Sequence, residues 1–459
     1  MPPSPQQKAP QAYRPASALL TLGPAFWDPV EAANFPETRL HFRNDRAAAQ
    51  VGLAGLTDEE WVRHFGRFDP LPGTLPQPLA LRYHGHQFRS YNPEIGDGRG
   101  FTFAQMRDGG DRLMDLGTKG SGQTPWSRFG DGRLTLKGGV REILATEMLE
   151  ALGVRTSRTL SLIETGEALT RGDEPSPTRG AVMVRLSHGH IRIGTFQRLA
   201  YHRDEANLRR LVYYVLRELY AEEPGSDPAL QLLDHVVGRA ARLAASYMAA
   251  GFVHGVLNSD NINVTGESFD YGPWRFAPTW DPDFTAAYFD HAGLYAFARQ
   301  PEAIGWDAMQ LAASLRLMAE SEPMIALLDQ FAPRFQHHVT AAILWRLGLT
   351  PRAPEDDHAL VQAVERTLRE TAIPLDRFYH DAFAQALPAA YAEPWAEVRA
   401  RMEPYTPRKP RDHPHWRGEP CAMLIDEVEA IWSPIAERDD WSALHAKVAA
   451  VRALGEALA

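Results

Sequence analysis

The chain has 459 residues, 44% of them hydrophobic and 23% charged, and a formal net charge of −10. This length predicts two lobes or more than one domain, and the acidic balance argues against a general nucleic-acid-binding protein. No run of about 18 apolar residues occurs, so no membrane-spanning helix is expected, and the Pro- and Gln-rich start lacks the apolar stretch of a signal peptide. The single cysteine, Cys421, excludes an internal disulfide and favours a reducing, cytoplasmic location.

The first part of the chain is predicted to form a strand-rich N-terminal lobe over residues 18–200, after a disordered tail over 1–17. A short helix is expected over 58–64, capped by Thr57. Strand-like segments joined by Gly-rich turns follow between 78 and 200. One helix interrupts them over 141–152 and ends at Gly153. Strands with a single helix among them indicate a small α+β lobe.

From about residue 203 the pattern becomes helical. Apolar residues at helical spacing predict helices over 207–221, 228–251, 303–320, 322–348, 356–372 and 376–400. A loop rich in Pro and charge over 404–420 precedes a last pair of helices over 420–436 and 438–457. The expected organisation is therefore α+β, with a helical C-terminal lobe over 201–403 and a C-terminal extension over 404–459.

Three glycine-rich segments lie in the strand-rich part, IGDGRG at 95–100, GTKGSG at 117–122 and GDGR at 130–133. Glycine lets backbone N–H groups approach a phosphate closely, and an adjacent Lys or Arg neutralises its charge. None of the three is a P-loop or a dinucleotide-binding fingerprint, and each alone is more often a tight turn. Together they favour nucleotide binding.

Lys119 stands out because Arg supplies nearly all the positive charge of this chain. A lysine among glycines indicates a need for a compact ammonium group, and Glu142 in the single helix is a plausible partner, as in kinases. An isolated Glu at that position would only favour the helix dipole. Arg185 and Arg192 suit phosphate oxygens, although arginines on strands are more often simply solvated.

The segment HGVLNSDN, which starts at His254, resembles the catalytic loop of kinases, and FDYGP resembles their metal-binding triplet. The kinase pattern H-G-D-x-x-x-x-N has an Asp base where this chain has Val256. Asn261 and Asp270 offer the oxygen ligands that Mg²⁺ prefers; an Asx-rich turn would explain the residue types here but not their order. Val256 cannot accept a proton, so the nearest acid, Asp260, is the predicted base.

Taken in chain order, six segments together resemble the selenoprotein O family, also called YdiU. They are YHGHQFRSYNPEIGDGRG, GTKGSGQTPWSRFGDGR, GGVREILATEMLEALGV, SHGHIRIGTF, HGVLNSDN and FDYGP. The resemblance covers roughly residues 80–300 and is weak beyond about 330. It implies a protein-kinase-like two-lobe fold and Mg²⁺-dependent transfer of AMP from ATP to Ser, Thr or Tyr hydroxyls of proteins, the chain itself among the candidates. Mn²⁺ is an alternative metal; a kinase-like phosphotransferase and an inactive ATP-binding scaffold are alternative functions.

The resemblance also implies roles for single residues. It identifies Lys119 and Glu142 as an ion pair, Asp260 as the proton acceptor, and Asn261 and Asp270 as Mg²⁺ ligands. The positions that match nucleotide contacts are Gly96, Gly98, Arg99, Lys119, Asp131, Gly132, Arg185, Arg192 and Asp270. It further implies an ATP inverted relative to that of a kinase, so that diphosphate leaves.

One departure from the family concerns sulfur. Many members carry a Cys or selenocysteine near the C-terminus, whereas this chain ends VRALGEALA and has its Cys421 far upstream. Thiol regulation is therefore not expected to carry over.

Overall fold

The computed structural model describes residues 12–172 and 174–459 and confirms the expected α+β class. A strand-rich part precedes a largely helical part. The strands are β1 (Pro15–Ala16), β2 (Trp27–Pro29), β3 (Arg39–Arg43), β4 (Leu79–Leu81), β5 (Gly85–Gln87), β6 (Ser90–Asn92), β7 (Thr102–Arg107), β8 (Leu113–Lys119), β9 (Leu134–Thr135), β10 (Arg158–Leu169), β11 (Thr178–Ser187), β12 (Phe252–Val253) and β13 (Arg275–Phe276).

The helices pack on and beyond the sheet. They are α1 (Asp45–Ala49), α2 (Asp58–Phe65), α3 (Leu136–Ala151), α4 (Ile193–Tyr201), α5 (Glu205–Tyr214), α6 (Pro228–Ala250), α7 (Gln300–Leu315), α8 (Ser321–Leu328), α9 (Phe331–Arg346), α10 (Pro354–Thr371), α11 (Leu375–Ala382), α12 (Ala396–Met402), α13 (Ile425–Arg438) and α14 (Ser442–Leu458). A π-helical turn over Val215–Leu219 extends α5. Within the described residues, no helix is both long enough and apolar enough to cross a bilayer.

The main sheet is antiparallel, with nine strands among the described residues. Its order is β2-β4-β7-β8-β11-β10-β3, and β1 and β9 pair with β7 and β11. The long strands β8 and β11 lie side by side, with Lys119 opposite Met183 and Gly117 opposite Arg185. This register places the end of β8 and the middle of β11 next to each other at the centre of the sheet.

Helix α3 begins at Leu136, five residues before the predicted start, and ends at Ala151. The stretch over 132–139, which lies in the region 78–200 predicted to contain strand-like segments, is therefore strand only at β9. Thr135 explains the difference, because its hydroxyl accepts a hydrogen bond of 3.1 Å from the Gly138 amide and caps the helix. Gly139 lets the helix approach Leu162 of β10, since an added Cβ would lie 2.3 Å from Leu162 Cδ1.

Two predicted helices of the second part are broken by proline. The segment over 322–348 forms α8 and α9, because a continuous helix would lose a backbone hydrogen bond at Pro333. The segment over 376–400 forms α11 and α12, with Pro388 and Pro394 in the interruption. The other predicted helices are present with ends shifted by several residues; α6 ends at Gly251, whose φ of +69° suits a glycine cap.

The beginning of the described chain is ordered, although residues 1–17 were expected to be disordered. Pro15 and Ala16 form β1 opposite Met106 and Gln105 of β7. The hydroxyl of Tyr13 donates a hydrogen bond of 3.0 Å to the carbonyl of Pro72. Residues 1–11 lie outside the described residues.

The two last helices dock against α3. Arg452 of α14 donates hydrogen bonds of 2.8 and 2.7 Å to the two carboxylate oxygens of Glu147 on α3. Gly455 lies against Ala151, because an added Cβ would be 3.3 Å from its Cα atom. From α13, Glu429 accepts a hydrogen bond of 2.7 Å from Lys137 at the start of α3. The helix that carries Glu142 is therefore held between the sheet and the C-terminal helices.

Candidate active site

A buried ion pair joins the sheet to α3. Lys119 is the last residue of β8, Glu142 lies in the second turn of α3, and both side chains are buried. The Lys119 ammonium group pairs with Oε2 of Glu142 and donates a hydrogen bond of 3.0 Å to the carbonyl oxygen of Tyr271. Burial lowers the pKa of Lys119, and the Glu142 carboxylate opposes that shift. Lys119 thus contacts both α3 and the loop that contains Asp270.

Asp270 lies in the loop between β12 and β13, and two arginines hold its carboxylate. Oδ1 accepts a hydrogen bond from Arg185 of β11, and Oδ2 accepts one from Arg192, the residue before α4. Burial acts to raise the pKa of Asp270, but the charges of the two arginines and of Lys119 outweigh it and hold the pKa well below its usual range. The carboxylate is therefore ionised and fixed in position.

The backbone of Asp270 is also unusual, with a φ of +59°. This left-handed conformation is uncommon for residues other than glycine and tends to occur at functional sites. The two arginine contacts hold the residue in that conformation.

Arg192 connects three acidic residues. Besides Asp270, it donates a hydrogen bond of 2.8 Å to the main-chain carbonyl of Asp260 and lies 3.3 Å from Oδ1 of Asp97. Its guanidinium group stacks 4.5 Å from the ring centres of Tyr83 and Phe269. A cation packed between two rings and three acidic residues has little freedom to move, so Arg192 fixes the relative positions of these groups.

Asp260 and Asn261 lie in the short 3₁₀ turn Ser259–Asn261. Oδ1 of Asp260 is buried and has no hydrogen-bond partner among the described residues. Burial raises the pKa of Asp260 to about 6, against the influence of Arg192. Asn261 donates its side-chain amide to the carbonyl of Val256 at 2.9 Å, and no described residue donates to its Oδ1 atom. Each residue therefore offers an oxygen acceptor.

Gly85 of β5 makes room for the Asp260 carboxylate. A Cβ added at Gly85 would lie 2.8 Å from both Cβ and Oδ1 of Asp260. Any larger residue would displace this side chain. The strand-rich part of the chain thus forms one wall around Asp260.

The three glycine-rich segments meet beside Lys119. The Gly120 amide donates a hydrogen bond of 2.7 Å to the carbonyl of Arg99, and the Gly122 amide donates one of 3.1 Å to the carbonyl of Gly132. Gly132 has a φ of +70°, and an added Cβ would lie 2.2 Å from the carbonyl carbon of Gly122. The sequence segments 95–100, 117–122 and 130–133 therefore form one connected surface.

The predicted nucleotide-binding residues Gly96, Gly98, Arg99 and Asp131 have different surroundings in the structure. Gly96 and Gly98 pack beneath Trp126, because Cβ atoms there would lie 2.5 Å from its ring and 2.9 Å from its carbonyl oxygen. Arg99 is exposed, and its positive charge contributes to lowering the pKa of Lys119. Asp131 is also exposed and accepts hydrogen bonds of 2.8 and 3.2 Å from Arg171. Among the described residues, it makes no hydrogen bond to Lys119, Arg185, Arg192 or Asp270.

Two acidic residues near this cluster were not predicted from the sequence. Asp97 accepts a hydrogen bond of 3.0 Å from the Leu81 amide through Oδ2 and faces Arg192 through Oδ1. Its position inside the motif IGDGRG is the sequence feature from which Asp97 could have been identified as a site residue. Asp307 of α7 is fully buried, and neither of its carboxylate oxygens has a partner among the described residues. Burial, together with the charge of Asp260, raises the pKa of Asp307 well above its usual value.

The arrangement is suited to a polyphosphate and a cation. Lys119, Arg185 and Arg192 bring three positive charges to one buried cluster whose centre is Asp270. Carboxylate and amide oxygens from Asp270 and Asn261 fit the donor preference of Mg²⁺. The Asp270 carboxylate has lone pairs left after its two arginine contacts, so the residues present fit a bound divalent ion.

Comparison with known proteins agrees with this chemistry. Proteins of 44% identity from Synechocystis sp. and of 43% identity from Gloeobacter violaceus, both described as protein nucleotidyltransferase YdiU, match 94% and 96% of this chain and 95% of their own length. A protein from Azotobacter vinelandii with the same description is 34% identical over 89% of this chain and 82% of its own. These relationships define the chain as an enzyme of the nucleotidyltransferase class.

The family follows from a second comparison. The model of the family described as protein adenylyltransferase SelO matches residues 11–403, so the chain belongs to the SelO family. The likeness was expected to be weak beyond about residue 330. The family model extends beyond that position to residue 403, and the matches over 94% and 96% of the chain also include residues beyond 330.

Proposed function

We propose that this enzyme transfers AMP from ATP to Ser, Thr or Tyr hydroxyl groups of proteins, itself among the candidates, and releases diphosphate. The observation that carries the proposal is Asp260, whose Oδ1 is buried, unpartnered among the described residues and one residue from Asn261. The kinase base position is the apolar Val256, so the acid that could accept a proton lies further along the same turn. The family description, protein adenylyltransferase, supports the same reaction.

The reaction requires a particular order of bonds. The acceptor hydroxyl oxygen attacks the α-phosphorus of ATP, and its proton passes to Asp260. A new O–P bond forms to the AMP group while the bond from the α-phosphorus to the bridging oxygen breaks, and the electron pair leaves with diphosphate. Attack in line with that bond depends on positioning of the nucleotide.

The cation cluster has two tasks in this scheme. Lys119, Arg185 and Arg192, with Arg99 at the exposed edge, would hold the β- and γ-phosphates and stabilise the negative charge of the leaving diphosphate. The backbone around Gly96, Gly98 and Gly132, with Asp131 beside it, would hold the remainder of the nucleotide. ATP would lie inverted relative to a kinase, with its α-phosphate towards Asp260.

Asn261 and Asp270 would hold Mg²⁺, with Mn²⁺ as an alternative, and the ion would neutralise phosphate charge when bound. Asp270 is suited to this task because its pKa is held low and its position is fixed by Arg185 and Arg192.

We further propose that residues 18–200 and 201–403 form the two lobes of a protein-kinase-like fold, with the nucleotide between them and 404–459 as an extension. Two contacts cross this boundary: Lys119 donates to the carbonyl of Tyr271, and Arg192 donates to the carbonyl of Asp260. A cytoplasmic location is consistent with the single free cysteine.

The proposal is tested with ATP labelled at either the α- or the γ-phosphate, incubated with the enzyme, Mg²⁺ and a cell extract as a source of acceptor proteins. We expect label on protein only from the α position and a mass gain of AMP. Retention of γ label alone would instead identify a phosphotransferase. Asp260→Asn should lower the rate by about 10² to 10⁴, the usual size of general-base catalysis, while ATP binding is retained; full activity of this variant would exclude Asp260 as the base.

A further inference from the structure

A second cleft lies outside the candidate active site, between α6, α9 and the segment that leads into β10. It has a volume of about 390 Å³. The residues that line it are Arg155, Asp234, His235, Gly238, Arg239, Arg242, Arg334 and His338. None of Lys119, Arg185, Arg192, Asp260 and Asp270 is among them, so the cleft is separate from the proposed nucleotide site.

The cleft is strongly positive in a chain whose formal net charge is −10. Four arginines line it against a single aspartate. That aspartate, Asp234, is already engaged by Arg334, which pairs with its carboxylate and donates a hydrogen bond of 2.9 Å to its carbonyl oxygen. The remaining arginines therefore lack a counter-charge from the lining of the cleft.

Arg155 and Arg242 are the two arginines without partners. Neither side chain makes a hydrogen bond or an ion pair with any residue that the structure describes, in contrast to Arg239, which stacks 3.8 Å from the ring centre of Tyr220. Burial, and then the charges of Arg242 and Arg239, lower the pKa of Arg155 to about 10. Crowding of like charges is unfavourable by itself, and a bound anion would relieve it.

The geometry favours a compact ligand. Gly238 keeps the floor of the cleft open on α6, because a Cβ there would lie 3.2 Å from Arg334 Nη1. The volume lies within the range of small-molecule sites, and the planar forks of arginine match phosphate oxygens in pairs. A small anion with several charges satisfies more of these donors than one carboxylate of an acidic peptide could.

The cleft is connected to the candidate active site through the main chain. The Ser268 amide donates a hydrogen bond of 2.8 Å to the carbonyl of Arg155, and the amide of Ser157, two residues after Arg155, donates one of 2.9 Å to the carbonyl of Ser268. Ser268 precedes Asp270 by two residues, and the hydroxyl of Tyr271 bonds to Thr156 at 2.6 Å. A ligand bound to Arg155 would therefore influence the position of the segment that contains Ser268 and Asp270.

We propose that this cleft is a binding site for a small polyvalent anion of the phosphate class, of which inorganic diphosphate is one example. Arg155 and Arg242 provide the free guanidinium groups, and Arg239 and Arg334 complete the positive wall. The proposal does not depend on the reaction proposed above, because it concerns different residues.

The test is calorimetric titration of the full chain with inorganic diphosphate, without nucleotide or divalent metal. The double variant Arg155→Gln/Arg242→Gln is compared with Arg63→Gln/Arg67→Gln, which removes the same charge from exposed residues of the strand-rich part. We expect the control to bind like the natural chain, and the cleft variant to bind one diphosphate at least about tenfold more weakly, as for lost hydrogen bonds to charged groups. Binding elsewhere, including at the candidate active site, would be equal in both.

A second variant distinguishes a direct loss of binding from misfolding of the double variant. Gly238→Glu adds a carboxylate beside Arg334, and only the flexible end of the Arg334 side chain must shift to admit the added Cβ. The variant should therefore block the cleft while thermal unfolding shows no loss of stability. Titrations that are identical in the natural chain and the cleft variants, or equally weakened in cleft and control variants, overturn the proposal. A polyglutamate peptide that binds the cleft more tightly than diphosphate would overturn the assignment to a small anion.

Discussion

The guanidinium group of Arg192 forms a buried ion pair with the carboxylate of Asp270. A divalent ion at Asp270 must therefore share this carboxylate with an arginine that is itself a proposed phosphate contact. The negative charges of Asp270 and the phosphates would balance the positive charges of the metal and the arginine, and loss of any one group would leave the others unbalanced.

The first prediction concerns the charge of Asp270. Asp270→Asn keeps the size of the side chain but removes the counter-charge of two buried arginines, which should destabilise the fold by about 3–5 kcal/mol. Mg²⁺-dependent transfer should also be lost even at high Mg²⁺, as measured by label incorporation. Asp111→Asn is the control, because its exposed pair with Arg14 lies outside the site and should contribute at most about 1 kcal/mol. Unchanged transfer by Asp270→Asn would remove it as a metal ligand.

A second prediction concerns the pair Lys119 and Glu142. Glu142→Gln leaves the buried ammonium group without its counter-charge, so chemical denaturation should show a loss of about 3 kcal/mol and the KM for ATP should rise. Lys119→Met leaves the Glu142 carboxylate buried without its ammonium partner and should lose a similar amount of stability. In Lys119→Met/Glu142→Gln both charges of the pair are removed together, and the loss of stability should be smaller than in either single variant, although transfer is abolished. If the losses of the two single variants simply add in the double variant, the pair is not energetically coupled.

Asp307 leads to a prediction about pH. Its pKa is raised in the folded chain by burial and by the charge of Asp260, so folding is progressively penalised as the pH rises above the unfolded value of about 3.9. Asp307→Asn lacks this titration. The free energy of unfolding of the variant minus that of the natural chain should therefore increase as the pH rises from 4 to 8. A constant difference across that interval would contradict the prediction, and Asp283→Asn, at an exposed position, is the matched control.

The contact between α14 and α3 predicts an effect at a distance. Gly455→Leu would force α14 away from Ala151, at a cost of about 1–3 kcal/mol for overpacking. Because α3 carries Glu142, the KM for ATP should rise as well. Ala449→Leu places the same side chain on the exposed face of α14 and should change neither quantity. A normal KM in a destabilised Gly455→Leu variant would show that the C-terminal helices support the fold without influencing the site.

The sequence predicted the parts of this molecule that depend on local order. The pairing of Lys119 with Glu142 was expected from the sequence and is present in the structure; Asn261 and Asp270 could be named because they lie in segments that resemble kinase motifs, and their roles stay predictions. The start of α3 was missed because residues 132–139 were predicted to be strand-like, whereas the Thr135 cap and packing against Leu162 decide the conformation.

Residues whose importance depends on tertiary neighbours could not be predicted in this way. Asp307 is a single acid within an ordinary helix, and only the packing of α7 brings it close to Asp260. Arg155 and Arg242 are far apart in sequence and meet in one cleft. Neither the periodicity nor the spacing of residues along the chain predicts such tertiary contacts.

The separation of Arg192 from Asp270 has a consequence for biosynthesis. The two residues are 78 positions apart, and at translation rates of about 5–20 residues per second the arginine waits several seconds for its partner. During that interval Lys119, Arg185 and Arg192 have emerged with fewer acids than the finished cluster provides. The two arginines therefore gain the carboxylate they share only after the ribosome has delivered the loop with Asp270.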